Sequence, residues 1–394
     1  MNVLVVTDSF PPGSGGSGRS TAVLARALMR RGHRVRVAVP RLEPSRRTAW
    51  QGVDVDEIEV PRPSPGNART RERAFASGLK CALGEEAWDI VHAQHWLSAG
   101  AARTACPRLP LVVTVRDYWP ICIWSTMLSG RHLCPGCTFG RRVVCAGRNR
   151  PSLLPLAPLM PPFIERELRR RGRILDEAAA VIAVSGHVGK TLQPRARVHV
   201  IPNLIELDDP PTHPPREIPE PYVLFAGKLE PNKAPDRLFP ILDAAKCRTT
   251  LVVAGTGSLL ARLRAEARGR GYPVRFLGWV DEMRLDGLMR HASALVFPSR
   301  WQEPLSRVLL DALGLGAVLV AEPTGGTEEI VVEGESGLTG RTVEELGAAL
   351  ARVLADEALA QQVREGAERV ARLRFSADVV MPKLEALYAS VVDG

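Results

Sequence analysis

The chain has 394 residues, long enough for two domains of ordinary size, each with its own core. A hydrophobic share of 45% and a charged share of 24% exclude a disordered chain, and no apolar run approaches the ~18 residues of a transmembrane helix. The net charge of +9 favours acidic partners such as nucleotide diphosphates or an anionic membrane surface. Only 5% of residues are aromatic and the arginines are scattered over helix faces, so no nucleic-acid partner is expected.

The amino terminus opens on an apolar strand at 3–6 without the basic flank of a signal peptide, so a cytoplasmic protein is expected, at the inner face of the membrane if it meets lipid. Gly13, Gly15, Gly16 and Gly18 follow, leading into a helix over about 20–31. Gly13, Gly15 and Gly18 fit G-x-G-x-x-G, but in the dinucleotide fingerprint the first glycine leaves the strand directly, and here residues 8–12 intervene. A strand at 34–39 precedes an irregular stretch, rich in proline and arginine, that reaches about residue 67. The next strand pattern ends at 88–95, with His92 and His95 at its carboxyl end, where α/β folds place ligands. A further strand at 111–115 leads to Arg116-Asp117-Tyr118-Trp119.

Cys122, Cys134, Cys137 and Cys145 then fall in one loop region, and Cys134-Pro135-Gly136-Cys137 is a C-x-x-C knuckle. Four thiolates suit a structural zinc ion; unliganded thiols or an iron–sulfur cluster are the alternatives. Residues 151–162 are apolar but too proline-rich for a helix, and a basic segment follows at 166–173. An apolar flap beside a cationic helix fits either an anionic membrane or a lid packed on its own domain. Strands at 180–184 and 198–203 close the first half, and the proline-dense residues 208–221 read as a linker.

The second half starts with a strand at 222–226, followed at once by Gly227-Lys228 and then Lys233. Strands at 251–254, before Gly255, and at 274–280, ending in Trp279-Val280, come next. A buried strand at 294–297 leads to Glu303 and to a helix that starts at Pro304 and runs through Leu305, Ser306, Arg307 and Asp311. A strand at 317–320 and the Gly325-Gly326 turn complete the unit, and amphipathic helices cover 343–355 and 358–374. A helix start presents free N–H groups to a diphosphate, and Glu303 can accept hydrogen bonds from a sugar hydroxyl. Asp311, eight positions on, shares roughly the same face and can grip a vicinal diol such as a ribose. By spacing alone, two solvated acids on an ordinary α/β unit explain the pattern equally well.

Glu303, seven residues, Asp311 and the Gly-Gly-x-x-Glu turn at Gly325 together resemble the signature of retaining GT-B glycosyltransferases of family 4 (glycosyl transferases group 1). Asp311 stands where that family usually has Glu, Arg116 replaces the histidine of its His-Asp-Tyr-Trp segment, and Lys228 replaces a commoner Arg. The resemblance implies an α/β GT-B fold, two Rossmann-like domains facing across a cleft. Residues 1–207 would bind the acceptor and carry the cysteine loop at 122–145, 208–221 would link, 222–375 would bind the donor, and a helix at 376–394 would cross back. It further implies that Lys228 and Lys233 neutralise the donor phosphates together with the helix start at Leu305, Ser306 and Arg307. Glu303 orients the sugar, Asp311 holds the ribose, and Gly227, Gly255, Trp279 and Val280 line the nucleotide. On the acceptor side, His95 faces the sugar, and Gly15, Gly16, Arg116 and Asp117 form the first-domain loops; His92 is left to strand-end packing.

The implied reaction is retaining transfer from a UDP- or GDP-sugar to a glycan, lipid-linked or small-molecule acceptor, of hexosyltransferase type, in the making of a cell-envelope polysaccharide. No metal is expected in the chemistry. No glycosidase-like carboxylate pair is evident, which argues against hydrolysis. A nucleotide-sugar epimerase or phosphorylase on the same fold is one alternative. A non-catalytic sugar- or membrane-binding relative is another, kept open by Asp311 and Arg116.

Overall fold

A computed structural model describes residues 1–64, 66–84, 86–130, 132–192, 197–207, 218 and 220–393. The expected linker at 208–221 thus lies outside the described residues except for 218, 220 and 221. The chain forms two compact units, Met1–Leu204 with Val380–Gly394, and Ile205–Val379.

The first unit is built on an eight-stranded sheet in the order Val198–Val200, Ala180–Ala183, Leu111–Val115, Ile90–Ala93, Asn2–Val6, Arg34–Arg41, Val53–Glu59, Arg46–Trp50. All pairings are parallel except the last. Val3, Leu4, Val5 and Val6 are fully buried, as expected of a central strand covered on both faces. From this strand the chain first builds outward on one side and later returns to the other. The strand order therefore reverses between Asn2–Val6 and Ile90–Ala93.

Two regions differ from the sequence reading. The stretch before residue 67 contains a hairpin, Arg46–Trp50 and Val53–Glu59, joined by Gln51 and Gly52 with φ of 46° and 80°, the turn that matches strand twist. Acids hide it in the sequence. Asp56 and Glu57 are buried within the strand because Arg47 reaches Asp56 at 2.9 Å, while Arg41 and Arg46 reach Glu57 at 3.2 and 2.6 Å. The proline-rich segment is helical after all, a 3-10 stretch Pro151–Leu159 running into the helix Met160–Asp176. Pro161 and Pro162 occupy its first turn, where a missing N–H costs nothing. The centre of the basic segment also turns inward. Arg170 bonds Glu72 and Glu167 at 2.6 and 2.8 Å, and buried Arg171 donates to the Trp119 carbonyl at 3.1 Å.

The second unit has a six-stranded parallel sheet in the order Val274–Gly278, Thr250–Ala254, Tyr222–Ala226, Ala294–Phe297, Leu319–Ala321, Leu338–Thr339. Counted within the unit this is the order 3-2-1-4-5-6 of doubly wound nucleotide-binding sheets, with its reversal between Tyr222–Ala226 and Ala294–Phe297. Val223, Phe225, Leu251, Val253, Val296 and Val320 form its core with the apolar faces of the flanking helices. The final helix, Ala377–Val392, buries Leu384, Leu387 and Tyr388, and its Glu385 receives Arg31 and His33 at 2.6 and 3.0 Å. Among the described residues no helix is long and apolar enough to cross a membrane.

Candidate functional site

Ligands of open parallel sheets settle beyond the carboxyl ends of the strands where the order reverses. In the second unit those strands end at Ala226 and Phe297, and the loops leaving them carry Gly227, Lys228, Lys233 and Glu303. Glu303 is 1% exposed. Lys233 Nζ donates to both its oxygens, at 2.7 and 2.8 Å, and the Ser299 hydroxyl donates to Oε1 at 2.5 Å. Lys233 also lies over the Phe297 and Trp301 rings, 5.4 and 4.9 Å from their centroids. A carboxylate offers about four acceptor positions, so these donors leave room for one ligand hydroxyl.

Glycines let the backbone close around this pair. Gly325, at φ +56°, and Gly326 lie against the extended Glu303 backbone, and Gly326 N–H donates to the Glu303 carbonyl at 2.5 Å. A Cβ on Gly326 would sit 2.2 Å from the Pro304 carbonyl oxygen, and one on Gly325 2.5 Å from that of Glu303. Extended pairing of Glu303 with Gly325 also delays the helix. It runs Arg307–Gly314 with Ser306 as cap, instead of starting at Pro304. Gly255, at φ +148°, packs so tightly on the Gly227 loop that a Cβ would meet the Gly227 oxygen at 1.9 Å. Gly255 N–H in turn donates to the Gly278 carbonyl at 2.7 Å, which brings Trp279, 63% exposed, and Val280 to the same strand ends.

Lys228 is exposed on the same loop as Lys233. Asp311 is buried and pairs with Arg307 at 2.5 Å, one turn apart, so it can meet a ribose only by sharing its carboxylate with that guanidinium. Leu305 and Ser306 are buried just ahead of the helix.

The first unit has its own cluster at the equivalent place. His95 follows the strand Ile90–Ala93, and Asp8 follows Asn2–Val6. Asp8 Oδ2 lies 2.6 Å from His95 Nδ1, Asp117 Oδ2 lies 3.4 Å from His95 Nε2, and Asp8 Oδ1 accepts the Ser98 N–H at 3.0 Å. Burial works against a charged ring here, but the Asp8 carboxylate and then Asp117 outweigh it and push the His95 pKa up to about 10. His95 is an imidazolium at neutral pH.

His92 behaves oppositely. It is fully buried, its nitrogens lie 2.6 Å from the hydroxyls of Tyr388 and Thr114, and burial followed by the Arg116 charge lowers its pKa to about 3. It is neutral packing. Arg116 donates to Gln94 at 3.1 Å and to Asn203, while Asp117 accepts the Trp119 N–H at 2.7 Å.

Gly15 caps the first helix, Gly16–Arg30, and both Gly15 and Gly16 are exposed. A Cβ on Gly15 would meet nothing within 4 Å, so the protein itself has no steric need for glycine there. Gly18, where a Cβ would lie 2.3 Å from the Ser14 hydroxyl, is the glycine that packing requires. Sequence reasoning missed Asp8 and Ser299. Each sits two residues beyond a central strand, a position that marks Asp8 once its strand is paired with that of His95.

Cys122, Cys134, Cys137 and Cys145 line one pocket of the first unit, and all are free thiols. Among the described residues no three ligand-type side chains already stand in coordinating positions.

The Glycosyltransferase Family 4 profile matches residues 14–209, and the Glycosyl transferases group 1 profile matches residues 212–370. A glycogen synthase of Mycobacterium tuberculosis is 29% identical over 96% of this chain and 91% of its own length. Among solved structures, sucrose-phosphate synthase from Thermosynechococcus elongatus superposes with a TM-score of 0.76 at 18% identity, covering 99% of both chains. Anabaena HepE in complex with UDP-glucose superposes at 0.70 with 19% identity, over 99% of this chain and 100% of that one.

Proposed function

The chain belongs to the family 4, group 1 glycosyltransferases and has their GT-B fold, and from that premise we propose that it transfers a hexose from a nucleotide-diphosphate sugar to a hydroxyl acceptor with retention at the anomeric carbon. The observation that carries this reading is the Lys233–Glu303 pair, enclosed by Gly325-Gly326 at the reversal point of the second sheet. The acceptor oxygen forms the new bond to the anomeric carbon, the bond to the diphosphate oxygen breaks, and the acceptor proton passes to the departing phosphate. Lys233, Lys228 and the N–H groups at the start of Arg307–Gly314 stabilise the charge that develops on the diphosphate, where such interactions contribute most to rate. Glu303 holds a sugar hydroxyl and keeps Lys233 aimed. Complexes of a structural neighbour with UDP-glucose support a uridine nucleotide as the first donor to try.

The first unit takes the acceptor, beside Gly15, Gly16 and the His95 cluster. A lipid-linked acceptor is favoured by one observation: Leu133, Phe139, Val144, Leu156, Leu159 and Phe163 are exposed in the segment that also exposes Arg141, Arg148, Arg166 and Arg169. The test is to incubate the purified chain with UDP- and GDP-sugars, with and without anionic vesicles carrying a lipid-linked glycan, and to follow the anomeric proton by NMR. A product with the donor's anomeric configuration is expected; an inverted product, or nucleotide-sugar isomerisation without transfer, would overturn the reading.

A further inference from the structure

The cysteine segment is not used by this chemistry, yet its four thiols face one pocket. Cys122, Cys134, Cys137 and Cys145 line its walls together with Trp124, Arg141 and Arg142. Cys81, Cys106 and Cys247 lie elsewhere in the sequence. Cys134 and Cys137 form a knuckle whose Gly136 has φ +139°, a conformation that lets two sulfurs converge from adjacent turns.

Chain donors already reach two of the sulfurs, while the Cys134 thiol donates to the Gly136 carbonyl at 3.4 Å. The Met127 N–H donates to Cys122 Sγ at 3.4 Å, and Asn149 Nδ2 donates to Cys145 Sγ at 3.1 Å. Arg142, which donates to Glu165 at 2.7 Å, lines the same pocket, and the buried Trp124 indole N–H there has no oxygen partner. Donors from the chain onto metal-bound sulfur are the usual outer layer of a thiolate site.

The segment folds as a short hairpin, Leu128–Ser129 with His132–Leu133, and a helix, Phe139–Asn149, that carries Cys145. The Arg142–Glu165 bond and buried Arg171, which donates to the Cys122 carbonyl at 3.4 Å, help to hold it, but few of its own side chains are buried. Between residues 121 and 150 only Leu128, Ala146 and Gly147 are buried among the described residues, while Ser125 and Met127 carry positive φ of 62° and 52°. A segment with so small a core and such a backbone is the setting in which a metal supplies the missing stability.

We propose that Cys122, Cys134, Cys137 and Cys145 bind one structural zinc ion, which draws the four sulfurs inward from the pocket walls and staples the 121–150 loop. The loop begins just after Asp117, and its start is tied down by the Cys122 N–H to Tyr118 carbonyl bond at 2.8 Å. Zinc therefore secures a segment of the first unit that leads directly out of Asp117.

The test uses the full chain expressed with zinc in the medium, with metal content measured after dialysis against a chelator at neutral pH. About one zinc per chain is expected, and cobalt exchanged into the protein should show the intense visible bands of a tetrahedral thiolate site. Cys134→Ser and Cys145→Ser should each lower zinc content severalfold, whereas Cys81→Ser should leave it unchanged. Wild-type metal content and the cobalt spectrum decide the matter even if a variant does not fold. Wild-type protein with less than about a tenth of a zinc per chain would overturn the proposal. So would a Cys134–Cys137 disulfide in the unreduced peptide map, or a brown protein containing iron and sulfide.

Discussion

The two strand-end clusters share a topological position and differ in charge. In the first unit one imidazolium, His95, stands between two carboxylates, Asp8 and Asp117; in the second, one carboxylate, Glu303, is gripped by Lys233, with Lys228 exposed on the same loop. Both clusters follow the two strands that flank the reversal of strand order. Topology thus supplies the place, and the side chains supply the chemistry. A surplus of cations suits a departing diphosphate. A surplus of carboxylate keeps a ring charged.

The strongest way to break this comparison is at Glu303. Glu303→Gln keeps the shape but leaves Lys233 without its counter-charge, and kcat should fall by roughly 10²-fold or more. A steady-state assay with near wild-type kcat would remove Glu303 from the reaction. The glycines come next. Gly255→Ala and Gly326→Ala force a Cβ into carbonyl oxygens at 1.9 and 2.2 Å and should cost about 1–3 kcal/mol in denaturant unfolding. Gly15→Ala meets no atom but puts a poor residue at the helix cap, so it should cost only about 0.5–1 kcal/mol and yet weaken acceptor binding, read as a raised KM.

The two histidines sharpen the comparison through pH. Because the His95 pKa is raised to about 10, its contribution to stability is complete below the ordinary histidine value and is lost as pH rises through about 10. Because the His92 pKa is lowered to about 3, its contribution is present above the ordinary value and is lost as pH falls toward about 3. Melting temperatures of His95→Gln should therefore lie furthest below wild type at neutral and acid pH and converge with it in strong alkali. A constant difference at every pH would deny the charged ring. A comparably small effect is expected for Tyr388→Phe, which removes one buried hydrogen bond to His92 and should cost about 1 kcal/mol by thermal or denaturant unfolding.

Much of the second site was legible in the sequence because its residues are close in the chain. Glu303, Asp311 and Gly325-Gly326 fall within one strand–helix–strand passage, so the family resemblance could pick them out together where spacing alone left them ambiguous. Their partners are less visible. Arg307 occupying Asp311 is a rotamer choice, and Ser299 reads as an ordinary loop residue. The first site is assembled from Asp8, His95 and Asp117, brought together only by strand order, so His95 could be suspected at a strand end while Asp8 could not be paired with it. Buried ion pairs hid other structure. Asp56 and Glu57 made a strand look like a loop, and Arg170 and Arg171 made an inward-facing helix surface look like a free basic patch.

The central claim, that the second unit holds the nucleotide while the first carries the acceptor side, is tested most directly by calorimetric titration of UDP, GDP and ADP into the full chain as wild type, Lys233→Ala and His95→Asn. One nucleotide should bind the wild type, bind Lys233→Ala about 10-fold or more weakly, and bind His95→Asn with unchanged affinity although transfer is impaired. Binding that is lost in His95→Asn and intact in Lys233→Ala, or no binding of any nucleotide, would contradict the account.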